Sequence, residues 1–279
     1  MEVCRTVSGI VDFHNRHREK VIGFVPTMGA LHEGHASLIQ AALEQCEVVV
    51  CSIFVNPIQF NNPNDLATYP RHEEEDLDML RNLGCHLAFL PDEDEVYPHK
   101  PMESYDFNGM DKVMEGAFRP GHFSGVAAVV RRLFEIVKPH KAYFGEKDFQ
   151  QLAIVRQLTE KLHFDIDIVG CPTIREKSGL AKSSRNERLN PEEKEQATLL
   201  FQSLQRAKEL AKKQEVASVK QKIQQLYSNQ ADVKLEYFEL VNTRTLQPVA
   251  EWNVKEGVTA CVAAHVGQVR LIDNMVLIP

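Results

Sequence analysis

Between residues 21 and 173, short apolar runs alternate with stretches of helical periodicity, and few folds tolerate that pattern. Residues 21–26 and 48–55 are β-branched or apolar almost throughout, as expected for strands buried on both faces of a parallel sheet. Residues 86–90, 142–144 and 166–171 read as further strands. Helical patterns cover 34–45, 73–83, 124–137 and 149–162, the second running into Gly84 as a C-cap. The third places Val126, Val129, Val130, Leu133, Phe134 and Val137 along one side. Strand–helix alternation of this kind predicts an α/β architecture, a Rossmann-like parallel sheet with helices on both faces. After residue 177 the character changes to charged helices over 191–213 and 217–227, then antiparallel strands over 234–241, 258–264 and 269–277. This predicts two domains: a Rossmann-like domain over residues 1–177 and a smaller C-terminal α+β domain over 178–279. Residues 178–190, rich in Ser, Asn and charge, read as a mobile junction.

The charge balance narrows the partners. Of 279 residues, 32 are basic and 39 acidic, a net charge of −7, which disfavours a broad nucleic-acid or anionic-membrane surface. No apolar run is long enough to cross a bilayer, and MEVCRTVSGI lacks the apolar core of a secretion signal, so a cytoplasmic protein without membrane or nucleic-acid partners is expected. The cysteines at 4, 46, 51, 85, 171 and 261 form no CxxC pair. Reduced thiols are expected, four of them in core-like surroundings, with neither a disulfide nor a zinc site.

The chemistry concentrates where predicted strands end. PTMGALHEGH, residues 26–35, follows the first strand and sets His32 and His35 three residues apart among Gly29 and Gly34. A metal pair on a helix more often uses i, i+4, and no third ligand is apparent. One such histidine alone is more often a structural hydrogen-bonding group. Phosphate chemistry accounts for the whole set: a helix N-terminus offers N–H groups and positive dipole, glycine admits a close ligand, and imidazole N–H can follow charge on a reacting phosphate. Ligands of such sheets bind at the carboxyl ends of strands, near the switch in strand order. The loops 56–60 and 145–151 begin at such ends too, which points to one shared site.

PTMGALHEGH resembles the H-x-G-H phosphate motif of nucleotidyltransferases and class I aminoacyl-tRNA synthetases. Together with FVNPIQF (54–60), RPGHFSGV (119–126), FGEKDFQQ (144–151) and GLAKSSRN (179–186), the chain resembles the pantothenate synthetases, also called pantoate–β-alanine ligases, over essentially its whole length. The resemblance implies an ATP-dependent ligase that condenses (R)-pantoate with β-alanine through a pantoyl-adenylate, releasing AMP and pyrophosphate. It implies ATP contacts from Met28, Gly29, Ala30, Leu31, His32, Glu33, Gly34 and His35, and from Gly145, Glu146, Lys147 and Asp148. Ile174, Lys182, Ser183, Ser184 and Arg185 complete the ATP set, the last segment resembling a KMSKS-type loop. His32, His35, Lys147 and Arg185 carry the catalytic roles. Gln59 and Gln151 are assigned to pantoate, with Gln59 also beside β-alanine, and Arg119 and His122 are placed near the same site. Mg²⁺ is expected to accompany ATP, the C-terminal domain to act as a lid, and the chain to form a homodimer.

The residues allow plainer readings as well. Asn56-Pro57 suits an ordinary turn, Gly145 to Asp148 a solvated loop, and SSRN a polar linker. Gln59 stands among Ile58 and Phe60 and needs partners if buried, which a polyhydroxy acid would supply. The acidic run Glu73 to Asp76 suits a helix N-terminus, with Glu75 or Asp76 as a water-mediated Mg²⁺ contact in second place. Two rival functions remain: a different adenylyl- or cytidylyltransferase on the same fold, disfavoured by the paired glutamines, and a non-catalytic ATP-binding regulator, disfavoured by the presence of both histidines, Lys147 and Arg185. A tRNA synthetase fits the short C-terminal segment and acidic chain less well.

Overall fold

The computed structural model describes residues 1–61, 63–99 and 104–279. Strand β1 (Glu2–Cys4) leads into helix α1 (Val7–Arg16), and β2 (Ile22–Thr27), α2 (Glu33–Gln45) and β3 (Val48–Ile53) follow. Next come α3 (Pro63–Ala67), α4 (Glu73–Leu83), β4 (Leu87–Phe89), α5 (Glu93–Val96), α6 (Met114–Phe118) and α7 (His122–Val137). The series continues with β5 (Lys141–Gly145), α8 (Phe149–Lys161) and β6 (Asp167–Cys171). All six strands pair in parallel in the order β1-β4-β3-β2-β5-β6. The α/β class read from the alternation is therefore observed.

Why the sheet is covered on both sides follows from the strand period of two. Phe24, Val48, Val50, Leu87, Phe89, Ala142 and Phe144 share one core with Ile10 and Phe13 of α1 and with the apolar stripe of α7. The alternate residues Val25, Val49, Cys51, Ala88 and Tyr143 join Leu38, Ile39 and Ala42 of α2 and Leu77 and Leu80 of α4 in another. Strand order reverses between β2 and β5, which are hydrogen-bonded neighbours. The loops after Thr27 and Gly145 thus leave the carboxyl ends of the two strands that flank the switch point.

The chain divides into two compact units. One comprises Met1–Asp111, Arg119–Glu146 and Gln151–Pro172; the other comprises Lys112–Phe118, Lys147–Gln150 and Thr173–Pro279. In the second unit α9 (Pro191–Ala211) and α10 (Val216–Ser228) precede the antiparallel sheet β7 (Val233–Asn242), β8 (Val258–Val266) and β9 (Val269–Ile278). Its core joins Leu200, Leu204, Val219 and Ile223 of the helices to Phe238, Leu240, Val262, Ala264 and Leu271 of the strands. A capping box between Asn190 and Glu193 starts α9, with Pro191 in its first turn.

Residues 178–190, expected as a mobile junction, are instead built into this second unit. Arg175 and Ala181 form a bridge, Glu176 N donates to Leu180 O (2.8 Å) and Lys182 N to Ile174 O (2.9 Å). A 3₁₀ turn, Ser184–Arg188, follows. Polar composition suggested solvation; the hairpin bonds are local, but β9, which packs against the 3₁₀ turn, lies far away in sequence.

In the first unit one helix glycine positions a site loop. A Cβ on Gly125 of α7 would lie 2.6 Å from Ile58 O and 2.7 Å from Gln59 Cα, so α7 and the 3₁₀ turn Pro57–Gln59 meet backbone to backbone. Gly125→Ala should destabilise the fold by about 1–3 kcal/mol, because overpacking outweighs the roughly 1 kcal/mol gain in helix propensity. Urea unfolding of the two proteins measures it, and equal or greater stability of the alanine variant would contradict this backbone contact.

Candidate active site

The loop after β2 is shaped from beneath by a carboxylate. Asp76, in the first turn of α4, is only 2% exposed. Its Oδ2 accepts from Ala30 N at 2.9 Å and its Oδ1 from Leu31 N at 2.6 Å. Gly29 has φ +80°, and a Cβ there would lie 2.9 Å from Asp76 Oδ2, so this position needs glycine twice over. Ala30 is also left-handed, at φ +48°, a conformation the two hydrogen bonds stabilise. Burial raises the Asp76 carboxyl above its ordinary value, while the N–H groups of Leu31 and Ala30 pull it back down. Among the described residues no group of three His, Cys, Asp or Glu side chains gathers to hold a metal. Asp76, weighed in the sequence as a dipole partner or a water-mediated Mg²⁺ contact, has its oxygens turned to the loop.

This loop delivers the start of α2 with both histidines. His32 is the N-cap: its Nδ1 accepts from Gly34 N at 3.0 Å, and its own N donates to His35 Nδ1 at 3.3 Å. The two rings lie 4.1 Å apart, tilted by 37°. Since each Nδ1 accepts a backbone N–H, each neutral ring carries its proton on Nε2. The helix N-terminus therefore combines first-turn backbone amides with two imidazole donors, a receptor for an anion.

Gln59 lies in the same unit, 8% exposed, and has protein partners of its own. Asn56 Nδ2 donates to Gln59 Oε1 (3.1 Å) and to Gly125 O (3.1 Å), while Tyr97 OH donates to Asn56 Oδ1 (2.9 Å). Burial, with Glu93 adding to it, pushes the Tyr97 phenol up, so it remains a donor. The chain of bonds fixes the amide orientation and leaves Gln59 Nε2 as the presented donor, 2.9 Å from Met28 Sδ. Behind it, Arg119 Nη1 donates to His122 Nε2 (3.1 Å), so His122 Nδ1–H donates to Gln59 O at 2.9 Å. Burial of Gln59 by itself thus does not demand a ligand, as the sequence suggested it would. Asn56, Tyr97 and Gly125 were missed; Asn56 was legible as a polar residue ending an apolar strand, the other two were not. Gln151 sits half-buried in the first turn of α8.

Gly145 and Glu146 belong to the first unit, and the second holds the remaining candidates. Lys147 lies in the 3₁₀ turn Glu146–Asp148, its Nζ 3.8 Å from Asp148 Oδ1 and its side chain 17% exposed. Ser183 Oγ caps the turn Ser184–Arg188 by accepting from Arg185 N (3.3 Å). Ser184 is buried; Ile174, Lys182 and Arg185 are half-buried. The hairpin 174–182 is organised by Arg175, which the sequence reading passed over. It pairs in bidentate fashion with Asp273 (2.6 and 2.9 Å), donates to Gly179 O (3.0 Å) and lies 4.4 Å over the Phe201 ring.

A doubly wound parallel sheet whose first central strand feeds an anion-receptive helix N-terminus is the architecture of α/β proteins that take phosphate-bearing ligands. The profile of the pantoate-beta-alanine ligase family matches residues 2–276. A pantothenate synthetase of Bacteroides fragilis is 48% identical over 256 residues, 92% of this chain and 91% of the relative. The crystal structure of the Thermus thermophilus pantothenate synthetase superposes with a TM-score of 0.93 at 38% identity, covering 100% of both chains. A Francisella tularensis pantoate-beta-alanine ligase, solved with beta-gamma ATP and beta-alanine, gives a TM-score of 0.82 at 36% identity, over 99% of this chain and 98% of the other. The chain belongs to the pantoate-beta-alanine ligase family and is a ligase.

The Asp76 cradle can be checked directly. Asp76→Asn supplies one acceptor where two are used and turns an NH₂ toward a backbone N–H. It should cost about 1–3 kcal/mol in urea unfolding and lower turnover at least tenfold. Wild-type turnover by a folded variant would show that the loop holds its shape without the carboxylate.

Proposed function

We propose that this protein condenses (R)-pantoate with β-alanine to pantothenate, driven by conversion of ATP to AMP and pyrophosphate. The observation that carries the reading is the family match over residues 2–276. The relative solved with an ATP analogue and β-alanine supports the choice of nucleotide and amine. In the first step a pantoate carboxylate oxygen bonds to the α-phosphorus of ATP and the bond to the β-phosphate oxygen breaks, giving pantoyl-adenylate and pyrophosphate. In the second, the neutral β-alanine amine attacks the acyl carbon, AMP leaves with the anhydride oxygen, and the amine loses a proton.

Neither step needs a protein nucleophile, so alignment and charge stabilisation carry the catalysis. His32 and His35 offer Nε2–H donors to the α/β-phosphate region beside the backbone of Met28 to Gly34. Lys147, Ser183, Ser184 and Arg185 serve the triphosphate, with Gly145, Glu146, Asp148, Ile174 and Lys182 lining the nucleotide. Gln59, orientated as a donor by Asn56, takes the pantoate carboxylate or hydroxyl and borders β-alanine; Gln151 takes the other end of the acid. Mg²⁺, which the family resemblance implies, accompanies the ATP phosphates as part of the substrate. Among the described residues no helix is long and apolar enough to span a membrane. A homodimer follows from the family resemblance, while cytoplasmic residence and a domain boundary near residue 177, with the C-terminal part as lid, rest on the sequence pattern; light scattering tests the dimer.

Activation should be separable from condensation. Pantoate and ATP without β-alanine should release about one equivalent of pyrophosphate per active site, the adenylate remaining bound. A transferase acting on another acid, or a regulator, releases none with pantoate; pyrophosphate appearing only with the amine rules out the two-step order. His35→Ala should lower turnover by roughly 10²-fold or more with the fold intact, since one donor to developing charge is lost.

The family resemblance implies an apolar residue, Met or Leu, where this chain has Lys182. Its N–H is engaged by Ile174 O within the hairpin, so the backbone there is held whatever the side chain. Lys182→Met should therefore change kcat/KM for ATP less than about tenfold, under ~1.4 kcal/mol, whereas Arg185→Ala, deleting a charge-assisted phosphate contact, should cost ~2 kcal/mol or more. A larger loss from Lys182→Met would make Lys182 the phosphate ligand.

A further inference from the structure

Strand β9 grips three segments of the second unit that lie far from it in sequence, each bearing or adjoining an assigned residue. Arg270 makes a bidentate pair with Glu115 of α6 (2.7 and 2.8 Å), a carboxylate that also accepts from Tyr237 OH (2.8 Å). A bulge between Leu235 and Tyr237 lets the adjacent Glu236 reach Arg270 as well, at 3.0 Å from Nε. Glu115 N in turn donates to Gln150 Oε1 (2.9 Å), and Gln150 Nε2 donates to Val113 O (2.8 Å), tying the first turn of α8 to α6. Asp273, 4% exposed, holds Arg175 and through it Gly179 O, the bend of the hairpin that runs into Ser183, Ser184 and Arg185. Gly179 has φ +93°, and a Cβ there would run into the Phe201 ring on which Arg175 also stacks, so the bend requires glycine. Asn274 Nδ2 donates to Lys147 O at 2.9 Å. β9 packs directly against the turn Ser184–Arg188.

A bidentate buried ion pair adds little stability over a well-packed apolar pair, but it fixes orientation and register. A donor placed on the carbonyl of Lys147 fixes the backbone from which that ammonium swings. The geometry points to β9 as the strand that aligns the phosphate-binding residues of this unit, with Asn274, acting on Lys147, and Asp273, acting through Arg175 on Arg185, as positioning residues for adenylyl transfer. The inference rests on the ATP-dependent reaction proposed above.

The test uses the full chain and pantoate-dependent pyrophosphate release. Asn274→Ala and Arg175→Lys, which keeps the charge but loses the fork, should each lower kcat at least tenfold while KM for pantoate stays within about twofold. The diagnostic is non-additivity: in a Lys147→Ala background Asn274→Ala should cost less than about twofold, and Arg175→Lys likewise in an Arg185→Ala background. General weakening of the fold would cost the same factor in both backgrounds, and that result overturns the inference, as does full kcat in both single variants. Asp273→Asn should match Arg175→Lys; if it fails to fold, Arg175→Lys alone decides that arm. Should the wild type bind ATP by calorimetry yet release no pyrophosphate with pantoate, the reaction falls. The same paired comparisons on ATP affinity then decide the alignment, which also falls if they are additive or if ATP does not bind.

Discussion

Two hydrogen bonds to one buried carboxylate hold the first site loop in a shape it would not adopt unaided. Gly29 and Ala30 are both left-handed, and the N–H groups of Ala30 and Leu31 on Asp76 stabilise that succession. The turn ends with His32 extended as the N-cap of α2, so the direction of the helix start depends on the strand-to-helix turn before it. Asp76 sits on α4, which packs against α2 on the same face of the sheet. The apolar contact between the two helices and the polar contact beneath the loop thus reinforce one geometry: burial of Leu38, Ile39, Leu77 and Leu80 sets the helices, and the carboxylate sets the chain between β2 and α2.

What the sequence disclosed depended on how local each interaction is. Helix α4 was legible residue for residue, because its acidic first turn, apolar spacing and Gly84 C-cap all lie within it. The two histidines were legible because a cap and its partner are three residues apart. β1 and α1 escaped notice: β1 is three residues long at the sheet edge with Glu2 and Val3 exposed, and α1 buries only Ile10 and Phe13. Short turns such as Pro57–Gln59 carry no periodicity to read. Asp76 and its N–H donors are 45 and 46 residues apart, and Arg175 and Asp273 are 98, so neither pair has a sequence signature. The segment after Gly179 looked mobile for the same reason: its composition is visible and its anchors are not.

The polar residues of the site fall into those that present a group and those that orient it. Gln59 presents an amide whose orientation is decided by Asn56, and Asn56 is decided in turn by Tyr97 and Gly125 O. His122 accepts one hydrogen bond from Arg119 and donates one to Gln59 O, settling a tautomer that would otherwise be open. Asn56 Nδ2 faces two oxygens, Gln59 Oε1 and Gly125 O, so flipping that amide would set oxygen against oxygen. A buried network of this kind is costly to disturb and therefore well suited to holding a small polar ligand in one pose.

The histidine pair extends this logic to charge. A lysine at position 32 or 35 would bring a positive charge but could cap nothing, since an ammonium only donates. An asparagine could cap the helix through Oδ1, but its Nδ2 donors sit beside that oxygen on a shorter side chain and reach less far from the backbone. Imidazole does both: Nδ1 satisfies the backbone N–H of Gly34 or His32, and that bond fixes the ring and leaves the proton on Nε2. The orientation of the donors is thus set by the backbone, as electrostatic stabilisation of developing charge requires. The two rings lie 4.1 Å apart, close enough that two cations there would repel each other. The capping role of these residues and their fitness for phosphate are therefore one property of the ring, seen from its two nitrogens.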